Sequence, residues 1–362
     1  MHLSFHPLTI ASREPAAEDA VCLTLEVPEA LRGEYQFEPG QHVALRATLG
    51  GREVRRTYSI VNGAPDGELR LGIRVQPAGG LSHFLAHEAK LGDRIDALSP
   101  TGRFIHSGIK GRAGSYVAFA AGSGISPVLS IATAVLEQEP ESQFLLVYGN
   151  RTSARTMFLE DILALKNRFV GRFAVHFIMS REPQDIDVFN GRVDAAKIQE
   201  LAGVLFDPAT VDEVFICGPG DMAASTREAL RALGTTAPIH FERFTTAEEP
   251  AAPPVDVGSA RDSPAAVGDA ATVTVIQDGR RRSFTMLPTD QSVLDAAARA
   301  GLDLPFSCRA GVCSTCRAKV VSGAVTMAHN VALEDWELAA GFVLCCQSRP
   351  TSRELELSYD EK

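Results

Sequence analysis

Up to about residue 106, the chain alternates short apolar runs with turn residues. The runs 21–27, 42–46, 57–61, 69–75 and 94–98 have the length and the apolar–polar rhythm of β-strands, in which successive side chains face opposite ways. Pro39-Gly40, Gly50-Gly51, Asp66-Gly67 and Gly92-Asp93 punctuate them. Short strands at this spacing predict an antiparallel barrel. From Tyr116 the rhythm changes. The apolar runs YVAFAA, FLLVY, FAVHFIM and VFIC now alternate with helical stretches such as 127–139 and 223–233. That order predicts a parallel α/β sheet with ligands at the carboxyl ends of its strands.

The pattern breaks at 245–271, a stretch rich in Ala, Pro, Asp and Glu. It holds too little apolar surface to bury, so it reads as a flexible, semi-extended tether. The predicted domains are a barrel at 1–108, an α/β domain at 112–244, the linker at 245–271 and a small α+β module at 272–362. A chain of 362 residues has room for that many.

A formal net charge of −10 disfavours a nucleic-acid binder, which needs a basic face for phosphates. The start MHLSFHPLTI lacks a basic segment followed by an apolar one, and no apolar run has the length to cross a bilayer. A cytoplasmic protein without membrane association is therefore expected. Seven cysteines are present, five of them between positions 308 and 346. In a reducing compartment such a group reads as metal ligation rather than disulfides.

Cys308, Cys313 and Cys316 follow the spacing C-x4-C-x2-C in CRAGVCSTC, with Cys345-Cys346 further on. That is the spacing of a plant-type [2Fe–2S] site. The small residues between the cysteines let the loop wrap closely and turn its N–H groups toward sulfur. Zinc is the alternative, but it usually pairs two separate short clusters. Leu304-Pro305 and FVLCCQSRPTS also resemble plant-type ferredoxins, which implies a β-grasp-like fold. Adjacent residues of an extended segment face opposite ways, so one of the last pair reaches the iron; the family spacing selects Cys346, leaving Cys345 as a buried small residue, with an alternate ligand as the other reading.

The segment Arg55-Arg56-Thr57-Tyr58-Ser59 contains R-x-Y-S and follows Pro39-Gly40-Gln41. Here the chain resembles the ferredoxin–NADP reductase superfamily. The resemblance implies that Arg56 meets the flavin pyrophosphate, Tyr58 stacks on the ring and Ser59 lies near its N5, with Thr57 between them. Guanidinium forks match phosphate oxygens and an aromatic face packs on a flat ring. Arg74 and Gly79-Gly80-Leu81-Ser82 support the reading, since small residues at a helix start leave N–H groups for phosphate. FAD is the expected flavin, with FMN as the alternative.

Ala121-Gly122-Ser123-Gly124-Ile125-Ser126-Pro127 joins the first α/β strand to its helix. Pro127 stands where a Rossmann fingerprint has its third glycine. The superfamily has its own loop of this kind, in which proline opens the helix. Cys217-Gly218-Pro219 with Met222 resembles its C-G-P-x-x-M, and Glu242 in HFERF resembles its acidic residue near the nicotinamide. The resemblance thus implies a catalytic set of Ser59, Cys217 and Glu242. Ser180-Arg181 resembles the pair that holds the 2′-phosphate of NADPH, and Arg151 adds charge. NADPH is therefore the expected co-substrate.

A flavin connects hydride donors to one-electron carriers, and the tether keeps the cluster module at high effective concentration. The domain order, with YGNRT, NGRVD and HFERF, is similar to reductase components of the phenylacetyl-CoA epoxidase type. That resemblance implies NADPH-dependent electron transfer to di-iron oxygenase subunits in phenylacetate catabolism. Alternatives are a reductase for another oxygenase or a hybrid-cluster protein, a stand-alone diaphorase, and a redox-sensing subunit without turnover.

Overall fold

Apolar side chains on one face of each strand must find a shared interior, and among the described residues before 245 they form three: one inside the first sheet and one on each face of the α/β sheet. The computed structural model describes residues 4–76, 80–106, 108, 112–244, 255–258 and 270–361. It divides into two compact units, Leu3–Thr246 and Ala247–Lys362.

The first unit begins with β1 (Phe5–Ala17), β2 (Ala20–Glu26), β3 (His42–Leu49), β4 (Arg52–Ser59), β5 (Glu68–Arg74) and β6 (Arg94–Leu98). They form an antiparallel sheet in the order β4-β3-β6-β1-β2-β5, and a bridge between Ile60 and Leu71 closes it into a barrel. Leu23 and Leu25 of β2 point inward with Val43, Leu45, Leu71 and Ile73. Cys22 faces the other way, into the core shared with the α/β sheet. Burying each such leucine contributes roughly 1.5–3 kcal/mol.

The rhythm of the sequence missed β1, whose two prolines argue against a central strand. Residues 5–9 pair with β6 and residues 9–17 with β2. Each half thus has one side without a strand partner, where a missing N–H is tolerated. A short helix α1 (Leu81–His83) runs into a wider turn at Phe84–Glu88.

The α/β part follows as β7 (Ser115–Ala121), α2 (Ile125–Gln138), β8 (Gln143–Asn150), α3 (Leu159–Arg168) and β9 (Phe173–Met179). It ends with α4 (Ala195–Leu201), β10 (Glu213–Pro219), α5 (Gly220–Ala232) and β11 (Ile239–Phe244). The parallel order is β11-β10-β7-β8-β9. The chain steps outward from β7, then returns to its other side, so the strand order reverses between β7 and β10. A crevice opens at such a switch point in open α/β sheets.

In the second unit β13 (Ala271–Gln277) and β14 (Arg280–Met286) form a hairpin, and α6 (Val293–Arg299) follows. Ser292 caps α6 by accepting a bond from the Asp295 N–H. The remaining elements are β15 (Arg317–Ser322), β16 (Ala324–Met327), α7 (Asp335–Ala339), β17 (Phe342–Leu344), β18 (Ser348–Pro350) and β19 (Glu354–Ser358). The mixed sheet β14-β13-β19-β15-β17 packs Val273, Val275, Val343 and Leu357 against Ala296 and Ala297 of α6, an α+β arrangement like the one expected.

One expectation needs correction. Within the supposed tether, Val255–Gly258 form a strand, β12, antiparallel to β16 in the sheet β12-β16-β18. Val257 is buried in the core of this unit and Ala271 already belongs to β13. Two valines in alternation are too short a pattern to stand out among prolines and aspartates. Most of the remaining tether lies outside the described residues.

At the barrel's end a polar network joins the two halves of the first unit. His106 Nε2 lies 2.8 Å from Glu139 Oε1, and its Nδ1 lies 3.4 Å from Glu213 Oε2. The hydroxyls of Tyr116 and Ser142 each donate to Glu139 at 2.7 Å. Burial alone would lower the His106 pKa, but its bonds to Glu213 and Glu139 raise it. Burial would raise that of Glu213, yet hydrogen bonds from His106 and His240 hold it down at about 2, against 4.5 when free. The Glu213 contribution is therefore full above pH 4.5 and is lost as pH falls toward 2. The His106 contribution is full below its ordinary 6.5 and is lost as pH rises through its higher folded value. Glu213→Gln should destabilise the chain by roughly 3 kcal/mol at neutral pH. Urea unfolding followed by circular dichroism should show that gap closing as pH is lowered below 4.5; a gap independent of pH would contradict the assignment.

Candidate functional site

At the switch point between β7 and β10, the two nicotinamide motifs meet. Gly122–Gly124 form a 3-10 turn that leads into α2, and Pro127 sits in the first turn of that helix, where its missing N–H is not needed. A β-carbon on Gly124 would stand 2.1 Å from the carbonyl oxygen of Cys217, so only glycine allows this approach. The Tyr148 hydroxyl donates to the Gly122 carbonyl at 2.8 Å and fixes the turn from β8. Ser123 is half-buried on it. Gly218 and Pro219 close β10, and Met222 is buried at the start of α5.

Cys217 is fully buried, and burial followed by the charge of Glu242 pushes its thiol well above the ordinary range. It therefore stays neutral, suited to contact rather than to nucleophilic attack. Glu242 is its register partner on β11. The Glu242 Oε1 lies 3.4 Å from His42 Nδ1, and Oε2 is buried without a hydrogen-bond partner among the described residues. His42 in turn is the register partner of Ser59 across β3 and β4. Ser59, His42, Glu242 and Cys217 thus form a continuous path from barrel to sheet. The sequence singled out three of these and missed His42. Its signal was a polar residue next to Pro39-Gly40-Gln41, but nothing in the spacing ties it to a glutamate so far along the chain.

On β4 the alternation separates two arginines. Arg55 is buried, bonded to Glu53 at 2.8 Å and lying 4.8 Å over the Phe5 ring. Arg56 is exposed on the face that carries Tyr58. Burial raises the Tyr58 pKa while the Arg56 charge opposes it, so the guanidinium lies near the phenol. Thr57 is half-buried and Ser59 buried on the opposite face. Gly80 precedes α1 with φ +84° and open space above it. Leu81 is in the barrel core, leaving only its backbone for a ligand. The Ser82 hydroxyl accepts from the Gln76 N–H. Gly79 lies outside the described residues.

Arg74, at the end of β5, lies where the barrel meets the α/β part. It pairs with Asp19, which also pairs with Arg155, and it donates to the Arg155 carbonyl at 3.0 Å. The Ser180 and Arg181 N–H groups bond the Asn150 and Arg151 carbonyls, both at 2.9 Å, joining the ends of β8 and β9. Arg181 above all, then burial and the charges of Arg155 and Arg74, lower the Arg151 pKa. Positive charge that Asp19 offsets only in part suits a phosphate. Glu182 is bonded to the Ser153 N–H and hydroxyl.

In the second unit the loop through the first three cysteines has positive φ at Arg309, Gly311 and Ser314, turning its backbone inward. Cys308 shares hydrogen bonds with Cys313 and Cys346, and Cys316 with Cys346. Contact with Cys308 and burial push the Cys313 thiol well up. Four crowded thiols ionise together only when cations neutralise them, which is what iron provides. Among the described residues no three His, Cys, Asp or Glu side chains form a single-ion site. The contacts link all four sulfurs in one chain, Cys313 to Cys308 to Cys346 to Cys316. Cys345 lies beside Tyr359, and burial raises its thiol to about 12. No helix among the described residues is long and apolar enough to cross a membrane.

Three domain families match the chain: an oxidoreductase FAD-binding domain at residues 7–106, an oxidoreductase NAD-binding domain at 119–228, and a 2Fe-2S iron-sulfur cluster binding domain at 275–351. The chain is 41% identical to one of the subunits of 1,2-phenylacetyl-CoA epoxidase from Escherichia coli K12, covering 99% of both. It is 32% identical to the ferredoxin reductase component of 3-ketosteroid-9-alpha-monooxygenase from Mycobacterium tuberculosis H37Rv, over 92% of this chain and 88% of that one. The solved structure of phthalate dioxygenase reductase superposes with TM-score 0.58 at 24% identity, over 98% of each chain. That likeness is one of fold. FAD and a [2Fe–2S] cluster are thus the cofactors.

The sulfur geometry separates the adjacent cysteines. Cys346→Ser should abolish the visible absorbance of the cluster, whereas Cys345→Ser should retain it in anaerobically purified protein. The reverse pattern would assign the fourth ligand to Cys345.

Proposed function

The chain belongs to the family of FAD-, NAD- and [2Fe–2S]-binding oxygenase reductases, and we propose that it carries electrons from NADPH to a di-iron oxygenase that epoxidises phenylacetyl-CoA. The likeness to the E. coli epoxidase protein, which runs the whole length of both chains, carries this reading. When bound, FAD supplies the conversion between hydride and single electrons, and the cluster supplies a one-electron carrier.

The residues divide this work. Arg56, exposed on β4, is placed to pair with the flavin pyrophosphate, and Tyr58 offers its ring beside it. Gly124 lets a dinucleotide approach the end of β7, and the positive end of the α2 dipole favours its phosphates. Ser59, His42 and Cys217 are each less than a twentieth exposed and exclude water from the reacting centre. Glu242 presents a buried carboxylate oxygen there. Cys308, Cys313, Cys316 and Cys346 are the ligands of the cluster. Arg151 and Arg181 with Ser180 hold the 2′-phosphate, which favours NADPH over NADH.

A reductase for another oxygenase would share all of these sites, and the ketosteroid monooxygenase likeness supports that second reading. Mixing the full chain with the other subunits of the E. coli epoxidase separates the two. NADPH oxidation that depends on phenylacetyl-CoA and yields its epoxide is expected. Fast reduction of artificial acceptors with no turnover in that mixture would move the assignment to another oxygenase.

Arg181→Ala should raise the KM for NADPH roughly tenfold, the loss of about 1.4 kcal/mol of charge-assisted bonding. The KM for NADH should not change. Equal effects on both nucleotides would remove Arg181 from the phosphate site.

A further inference from the structure

In the contact between His42 and Glu242, a buried titratable group of the barrel reaches the nicotinamide side of the reacting centre without a part in the reading above beyond excluding water. We propose that His42 is a positioning residue, which fixes the direction of the Glu242 carboxylate and so aligns the nicotinamide half of the site with the flavin half. This inference rests on the reading of Glu242 as a residue at the reacting centre.

The seat of His42 is tightly defined. Its backbone exchanges two hydrogen bonds with Thr101, at 2.8 and 2.9 Å. The side chain is 2% exposed. Gly102 lies under the ring, where a β-carbon would come within 2.9 Å of Nδ1. A ring held at its backbone and on one face has little freedom of χ1 or χ2. Its Nδ1 therefore offers a fixed point 3.4 Å from Glu242 Oε1.

Glu242 lacks such anchoring of its own. It sits on β11, an edge strand of the parallel sheet, as the register partner of Cys217. With Oε1 directed at His42, the second oxygen is left buried and without a donor among the described residues. A buried carboxylate oxygen without a donor is costly, so that atom is the acceptor offered to an N–H donor of a bound ligand. Fixing one oxygen determines where the other points. Because His42 is also the register partner of Ser59, a shift of the barrel against the sheet would move the ring and the carboxylate together. A catalytic group misplaced by an ångström loses up to a hundredfold in rate, so this alignment matters more than the modest strength of one ion pair.

Three variants of the flavin-loaded full chain test the proposal: His42→Gln, Glu242→Gln and both together. Hydride transfer from NADPH is measured by stopped flow at matched FAD content. Nitrogen resonances of labelled histidine are recorded for the unsubstituted protein, for Glu242→Gln and for Arg181→Ala. His42→Gln should slow hydride transfer about tenfold. The double variant should be no slower than Glu242→Gln, because the two residues act as one unit. The His42 Nδ1 resonance should move in Glu242→Gln and stay in place in Arg181→Ala. Rate losses that multiply in the double variant, or a His42 resonance indifferent to Glu242→Gln, would overturn the proposal and leave His42 a packing residue. If Glu242→Gln itself transfers hydride at full rate, the reading of Glu242 fails instead, and the resonance alone decides the His42 contact. Should His42→Gln not fold, the resonance comparison, which keeps His42, still decides between the two outcomes.

Discussion

A turn of backbone lies against the carbonyl of Cys217 with no room for a side chain, and the reacting centre is organised around it. Gly124 makes that approach where the strand order reverses, between β7 and β10. It brings the opening of α2, the positive end of that helix's dipole, beside the strand that carries Cys217. The next strand outward carries Glu242, and the barrel reaches in with His42 and Ser59. A substitution at Gly124 would push α2 away from β10 and open the crevice to water, whatever happened to the charges around it.

Electrostatics then give the two ends of the crevice different tasks. Toward the ends of β8 and β9, Asp19 is shared by Arg74 and Arg155, while Arg151 and Arg181 lie close enough to repel. Positive charge is concentrated at that end. Near Cys217 the surroundings are dry and the nearest charge is a single carboxylate, whose effect on the thiol adds to that of burial. The opposite end of the sheet holds the His106, Glu139 and Glu213 network, where opposite charges compensate each other. It holds barrel and sheet together and leaves the reacting end free for ligands. In the second unit the same logic applies to sulfur, since crowded thiols need iron to ionise.

The parts legible in the sequence are those in which chemistry is local. The cysteine loop, R-x-Y-S, the turn before α2 and C-G-P each lie within a few residues, and the change from two-residue alternation to strand–helix order matches the passage from the antiparallel sheet to the parallel one. What escaped was long-range or disguised. His42 becomes meaningful only beside Glu242, and Asp19 only beside Arg74 and Arg155. Two prolines hid β1 because each half of that strand pairs on one side only, and β12 was hidden by its brevity within a polar stretch. Arg74, read from its neighbours in sequence, meets Asp19 of the barrel and the Arg155 carbonyl of the α/β part, a pairing that no local spacing announces.

The central claim is that one chain converts hydride into single electrons and stores them on two centres. An anaerobic titration of the freshly purified full chain with NADPH, read in the visible spectrum and by electron paramagnetic resonance, tests it most directly. FAD holds two electrons and the cluster one, so both centres should be fully reduced by about 1.5 equivalents of NADPH per chain. Reduction that stops at about one equivalent, with the flavin bleached and the cluster still oxidised, would contradict it.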